Sequence, residues 1–442
     1  MHRLAAILAG AALLTWPAVL NRYPILFSDT GGLLEMGLLP SMGWDKPFVY
    51  GPLIAAISLH VTLWLPLAAQ GTLLSYTLWL TQRAFPPPHP LRHVALCVVL
   101  AAATSAPWFT STLMPDALTP IAVLGVVASL GALPRRERIA LAVITAIAIA
   151  AHLSHLLLAG AAIVALTILR RRVPWHPVAS LAAALLFLVV SNWIGHGRPT
   201  LSPYGSIFAL ARLIGDGPAR DYLARACPDA NLVLCAWRDQ LTDDSDQFLW
   251  AANSPFWADP TPLPEFAAQA SHIVLGTIRT FPLRVLRDAY RNGAHQLVRV
   301  DIGDTLVPDY LADSVRPRIA RWYSPAELRR FDRSLQVTGA LAPRAARLRP
   351  LQRAALLTGL LASAIFLLIG MRSASMRAVV TALIVVALAA NALAGGALST
   401  VHDRYEARMA WLIVLPFLLF FQTGDQAARA ATSSGDIRTS AS

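Results

Sequence analysis

The chain is expected to be an all-α polytopic membrane protein with about ten transmembrane helices and a mostly helical extracytoplasmic domain. Three observations predict this. Of its 442 residues, 56% are hydrophobic and 14% charged, with a mean hydropathy of +0.53; a soluble chain carries about 25% charged residues. Apolar runs recur along the sequence, and about 20 helical residues suffice to cross a hydrocarbon core of about 30 Å. The short loops between them hold arginine clusters, such as PRRER (134–138) and RRR (170–172), as cytoplasmic loops do. The formal charge is +12, but this loop placement accounts for it, so no nucleic-acid partner is expected.

The apolar runs fall near residues 5–22, 53–82, 94–107, 118–133, 139–151, 156–169, 175–195, 354–371, 378–396 and 409–421. The first starts like a signal peptide. It continues to Leu20 without a small-residue cleavage site, so a transmembrane helix is expected. Residues 139–169 would make one helix of about 46 Å. The arginine clusters on both sides must face the cytoplasm, so an even number of crossings is needed. Two helices are therefore expected, turning at AHLSH (151–155). Likewise 94–133 should turn at APWFTSTLMPD (106–116).

Both termini are then cytoplasmic. An N-terminal membrane region (1–195) precedes an extracytoplasmic domain (196–353). A C-terminal membrane region (354–421) and a disordered tail (422–442) follow. Cys97 lies in an apolar run and reads as a small buried hydrophobe. Cys227 and Cys235, in CPDANLVLC, are disulfide candidates if their region is exported. Zinc-type cysteine spacings are absent.

Ionisable residues gather at the outer turns. Asp29, Asp45 and Lys46 fall in the first, Asp116 in the second, and His152 and His155 in the third. His402, Arg404, Tyr405, Glu406 and Arg408 fall in the last. Charged groups at a membrane are expensive and usually functional, so one shared outward-facing pocket is expected. Each residue also has a plainer reading. Asp29 could N-cap a helix beginning at Gly31, and Asp116 could cap the run after it. Asp45 could pair with Lys46. His152 and His155 could bind zinc, touch a phosphate or sugar, or hydrogen-bond within a helix turn. Arg404 and Arg408 are four apart, share a helical face, and suit a bidentate phosphate clamp. Their plainer role is to anchor the helix or pair with acids.

An acid in the first outer loop, a second at the next outer turn and a late His-x-Arg-Tyr-x-x-Arg resemble the GT-C class of integral-membrane glycosyltransferases. The likeness is to bacterial enzymes that use polyprenyl-phosphate sugars. It implies sugar transfer from a polyprenyl-phosphate donor to an envelope glycan, lipid or protein. It also implies a periplasm-facing site in the inner membrane and membrane lipid as a partner. Asp29 matches the family's acid, with Asp45 as the competing position; in better-known members a second acid follows directly, whereas Thr30 follows here. Arg404, with Arg408, His402 and Tyr405, matches the donor-phosphate side. Lys46, Asp116, His152, His155 and Glu406 fall among the substrate contacts. The expected mechanism is single-step and inverting: a carboxylate takes the acceptor proton and fixed cations stabilise the leaving phosphate. Gly31 and Gly32 would let the backbone approach substrate. No cofactor motif or metal site is legible, and a divalent cation stays open. The competing readings are a transporter or flippase of a lipid-linked glycan, and another envelope enzyme such as a polymerase or ligase.

Overall fold

The computed structural model describes residues 2–39, 41–85, 89–227, 230–373 and 375–420. The expected tail, 422–442, lies outside them. The described residues are helical and form no β-strand; one isolated bridge joins Ile25 and Thr112.

The N-terminal half holds α1 (Arg3–Leu14), α2 (Trp16–Asn21), α3 (Ser28–Leu38), α4 (Tyr50–Ser58), α5 (Trp64–Ala84) and α6 (Pro90–Ala103). It continues with α7 (Ala106–Thr110), α8 (Thr119–Ala128), α9 (Arg135–Ala150), α10 (Leu153–Arg170) and α11 (Trp175–His196). The middle holds α12 (Gly205–Asp216), α13 (Pro218–Ala226), α14 (Ser245–Trp250), α15 (Pro255–Ala258), α16 (Leu263–Thr280), α17 (Pro282–Leu297), α18 (Arg316–Trp322), α19 (Pro325–Asp332) and α20 (Leu341–Ala346). The last part holds α21 (Arg349–Gly370), α22 (Met376–Leu398) and α23 (Asp403–Ala410). Four helices, α10, α11, α21 and α22, are long and apolar enough to cross a membrane. α11 and α21 turn apolar side chains outward: Ile194 is 79% exposed and Leu368 81%. Lipid accepts such a surface, and helices satisfy their own backbone there.

Two helix breaks fall at the turns expected from the sequence. α9 ends at Ala150, and His152, in an extended conformation, caps α10 by accepting from the Ser154 N–H at Nδ1, 3.2 Å away. α6 stops at Ala103, and the chain runs through α7 to Pro115 before turning back. One expectation is corrected. The run 53–82 is broken at residues 59–63, where Leu59 and His60 adopt left-handed φ of 52° and 55°. Such conformations cost of order 1–2 kcal/mol per non-glycine residue. Contacts from the distant helix α19 hold them: Glu327 Oε1 accepts from the Leu63 N–H and the Thr62 hydroxyl, each at 2.9 Å.

Residues 196–353 divide among three cores, one of which joins Ile302, Leu306, Leu341 and Ala345 to Ile25, Trp108 and Phe109. Ile207, Leu210, Leu223, Phe248, Phe266 and Ile273 build another of their own. Leu311, Val315, Ile319 and Phe331 join the main core formed with the N-terminal helices. Cys227 and Cys235 are joined by a disulfide beside the core that holds Ile207. Cys97 is buried and free.

Candidate active site

The acid-bearing turn after α2 is fastened on two sides. Ile25 pairs with the 111–113 segment, donating to Ser111 O and accepting from the Leu113 N–H, both at 2.9 Å. Gln336 grips Leu26, accepting its N–H at 3.0 Å and donating to its carbonyl at 2.6 Å. The turns that carry Asp29 and Asp116 are thus tied together by backbone. α3 begins at Ser28, three residues before the expected start. Its cap is Thr30, whose Oγ1 accepts from the Phe27 N–H at 3.0 Å and donates to Leu113 O at 3.1 Å. Asp29 sits in the first turn and its side chain is free of capping. Asp116 is not a cap either. It lies within a 3₁₀ turn, Pro115–Leu118, that precedes α8.

Both carboxylates face a cavity of about 340 Å³, whose lining includes Asp29, Asp45, Lys46, Asp116, His152, Arg404, Tyr405 and Arg408. Three of the expected residues lie elsewhere. His155 is fully buried: its Nδ1–H donates to Ala148 O at 2.6 Å, so its Nε2 accepts from the Thr119 hydroxyl at 2.7 Å. It is a core histidine, packed against His152. His402 turns away, its Nε2 2.8 Å from Asp246. Glu406 is buried and accepts from Asn391 at 2.8 Å. The glycines also differ from expectation. A side chain at Gly31 would strike the backbone of Ser314, so this glycine serves packing, and Gly32 faces open space.

Within the cavity the charges alternate. Lys46 bridges Asp45 and Asp29, reaching Asp29 Oδ1 at 3.3 Å. Arg404 Nη1 lies 3.5 Å from Asp29 Oδ2. Burial alone would raise the Asp29 carboxyl; Lys46 and Arg404 outweigh it and hold it below the usual aspartate value. Burial acts against the Lys46 charge, and Asp29 and Asp45 reverse this, raising its pKa. Burial, then Arg408 and Arg404, push His152 down to about 3, so it is neutral. Three cations therefore face three carboxylates.

The two arginines are not equivalent. Arg408 is 2% exposed and paired: Nη1 donates to Asp116 Oδ1 at 3.2 Å, and Nη2 donates to Asn391 Oδ1 at 2.9 Å and to Ser154 Oγ at 3.0 Å. Arg404 is held by its faces, with its guanidinium carbon 4.3 Å from the Phe27 ring centre and 4.9 Å from that of Tyr405. Its Nη2 donates to the Tyr405 hydroxyl at 3.2 Å. Its Nε and Nη1 are buried without a hydrogen-bond partner among the described residues. Arg408 leaves only its Nε without a partner among the described residues, so the clamp expected from both arginines rests mainly on Arg404, with Arg408 paired to Asp116 behind it.

Several supports lie outside the expected set. Asn391, in the middle of the apolar α22, joins Arg408, Glu406 and the Tyr405 carbonyl. Asp304 accepts the Arg404 backbone N–H at 2.9 Å and so caps α23 from another segment. Trp44 docks into the aromatic part of the 204–273 core and thereby sets the loop carrying Asp45 and Lys46. Among the described residues no cluster of three His, Cys, Asp or Glu side chains could hold a metal ion. No known protein family, curated protein or solved structure matches the chain.

Proposed function

We propose that this protein is a membrane glycosyltransferase of the GT-C kind. It would move a sugar from a polyprenyl-phosphate carrier to an envelope glycan, lipid or protein. One observation carries the reading: a carboxylate, Asp29, lies 3.5 Å from a guanidinium, Arg404, two of whose buried nitrogens have no hydrogen-bond partner among the described residues. An arginine so desolvated is suited to a bidentate bond with a phosphate. Protons and negative charge are then handled side by side in one cavity.

In this mechanism the acceptor hydroxyl attacks the anomeric carbon of the donor sugar. The new carbon–oxygen bond forms as the bond to the phosphate oxygen breaks, and that oxygen keeps the electron pair. Asp29 accepts the hydroxyl proton, with Asp45 as the alternative base. Arg404 and Lys46 stabilise the charge growing on the departing phosphate. Arg408 acts indirectly, by holding Asp116 and the α22–α23 junction. The helix order supports ten passes: α1 with α2, α5, α6 with α7, α8 to α11, α21, α22, and α23 with its continuation to residue 420. Both termini would be cytoplasmic and the cavity would face the periplasm of a bacterial inner membrane.

The test is transfer of radiolabelled sugar from a polyprenyl-phosphate donor by the protein in nanodiscs. Asp29→Asn and Arg404→Gln are expected to lose at least a hundredfold while the protein stays folded. Full activity in Asp29→Asn would move the base to Asp45, and full activity in both Asp29→Asn and Asp45→Asn would end the reading.

A further inference from the structure

Away from the ionic end, part of the cavity wall is aromatic. Phe208 from α12 and Trp250, the last residue of α14, both line it. Trp250 is 47% exposed although it belongs to an aromatic cluster. Its neighbours fix the ring. Trp44 stacks on Phe208 at 5.3 Å with an interplanar angle of 22°, and lies 5.9 Å from Trp250. Phe256 also packs against Trp44, at 5.3 Å and a tilt of 54°. The same loop presents Asp45 and Lys46 beside this wall, with the ammonium 6.0 Å from the Trp250 ring centre.

We infer that the Trp250 face, with Phe208 set at 60° to it and 6.3 Å away, forms a binding platform for a pyranose sugar. A pyranose ring has a face of C–H groups and a rim of hydroxyls. The aromatic face, negative at its centre, attracts polarised C–H groups. Asp45 and Lys46 supply a hydrogen-bond acceptor and a donor for the rim. A hydrocarbon chain laid on this wall would desolvate Asp45 and Lys46 without offering them a partner, whereas sugar hydroxyls would satisfy them. The packed ring loses little freedom on binding, which favours recognition of a small ligand. An interfacial membrane anchor is the plainer role for a half-exposed tryptophan; such an anchor would be indifferent to a soluble sugar. The inference rests on the sugar-transfer reading for its ligand class, and it is tested without any transfer.

The experiment is saturation-transfer NMR with a panel of methyl pyranosides on the full chain in nanodiscs, free of glycoside detergent. At least one pyranoside is expected to bind the wild type. Trp250→Ala should weaken that binding about twofold to twelvefold, as expected for an aromatic contact of about 0.5–1.5 kcal/mol. Trp250→Tyr should retain most of it, which separates a lost platform from a misfolded α14. Trp175→Ala, altering a 72% exposed tryptophan on α11, should change nothing. No binding of any pyranoside to the wild type, or undiminished binding in Trp250→Ala, overturns the platform. Binding that survives in Asp29→Asn supports it. A wild type that binds pyranosides but transfers no sugar from a lipid donor would end the transferase reading and leave the platform standing.

Discussion

Asp116 and Arg408 meet at 3.2 Å across 292 residues of chain, both almost wholly buried. The charges neutralise one another where neither could exist alone. Asp116→Asn should therefore destabilise the protein by about 3–5 kcal/mol, because it leaves a buried guanidinium uncompensated. The double variant Asp116→Leu/Arg408→Met should recover most of that loss. Thermal unfolding of the purified protein measures both, and a single variant that melts like the wild type contradicts the assignment.

Asn391 is the joint between α22 and α23. Asn391→Leu removes one of the two partners of Arg408 Nη2 and the donor to Glu406 and to the Tyr405 carbonyl at once. Each unsatisfied buried group costs about 1–3 kcal/mol. A clear drop in unfolding temperature is expected, with faster hydrogen exchange concentrated in residues 403–410. Exchange that rises equally throughout the chain would argue against a local joint.

Acid should weaken the fold through His152. Its folded pKa, about 3, lies below the ordinary histidine value of about 6.5. The unfolded chain takes up the proton first, so stability falls as the pH drops from about 6.5 towards 3. His152→Gln should flatten that slope. Asp29 acts lower on the scale: its folded pKa is depressed, so its contribution is complete above about pH 4 and is lost only as pH falls through the folded value. Chemical unfolding at several pH values separates the two, and an unchanged slope in His152→Gln would contradict the neutral assignment.

The Cys227–Cys235 bridge closes a short loop. Chain entropy predicts a stabilisation of about 2.5 kcal/mol for such a loop. Cys227→Ser with Cys235→Ser should accelerate hydrogen exchange around α13 and leave the cavity residues unaffected. Exchange that quickens at Asp29 or Arg404 would show the bridge to be coupled to the site.

The all-helical character and the reversals at 106–116 and 151–155 were legible in the sequence because each leaves a local mark. Arginine clusters flank 139–169, and His152 supplies a cap at the turn. The clustering of Asp29, Asp116 and Arg404 was also legible, since parity alone puts their turns at one end. The roles within the cluster were not. Arg404 and Arg408 are equivalent by spacing, and only Asn391 and Asp116, brought in from other helices, tell them apart. Asn391 did leave a signal, as a lone amide in an apolar span, where such side chains commonly bond across helices. The dispositions of Asp304 and Trp44 left none, because their partners are remote in sequence and chosen by packing. The break at Leu59 was hidden for the same reason: Glu327, far along the chain, holds it.

The grip of Gln336 on Leu26 spans 310 residues, which imposes an order on biogenesis. The Asp29 turn leaves the ribosome long before its clasp exists. At about 5–20 residues per second, the interval is about 15–60 s. Through that time the Asp29 turn lacks its clasp, and the cavity is complete only after Arg408, when more than nine-tenths of the chain has been made.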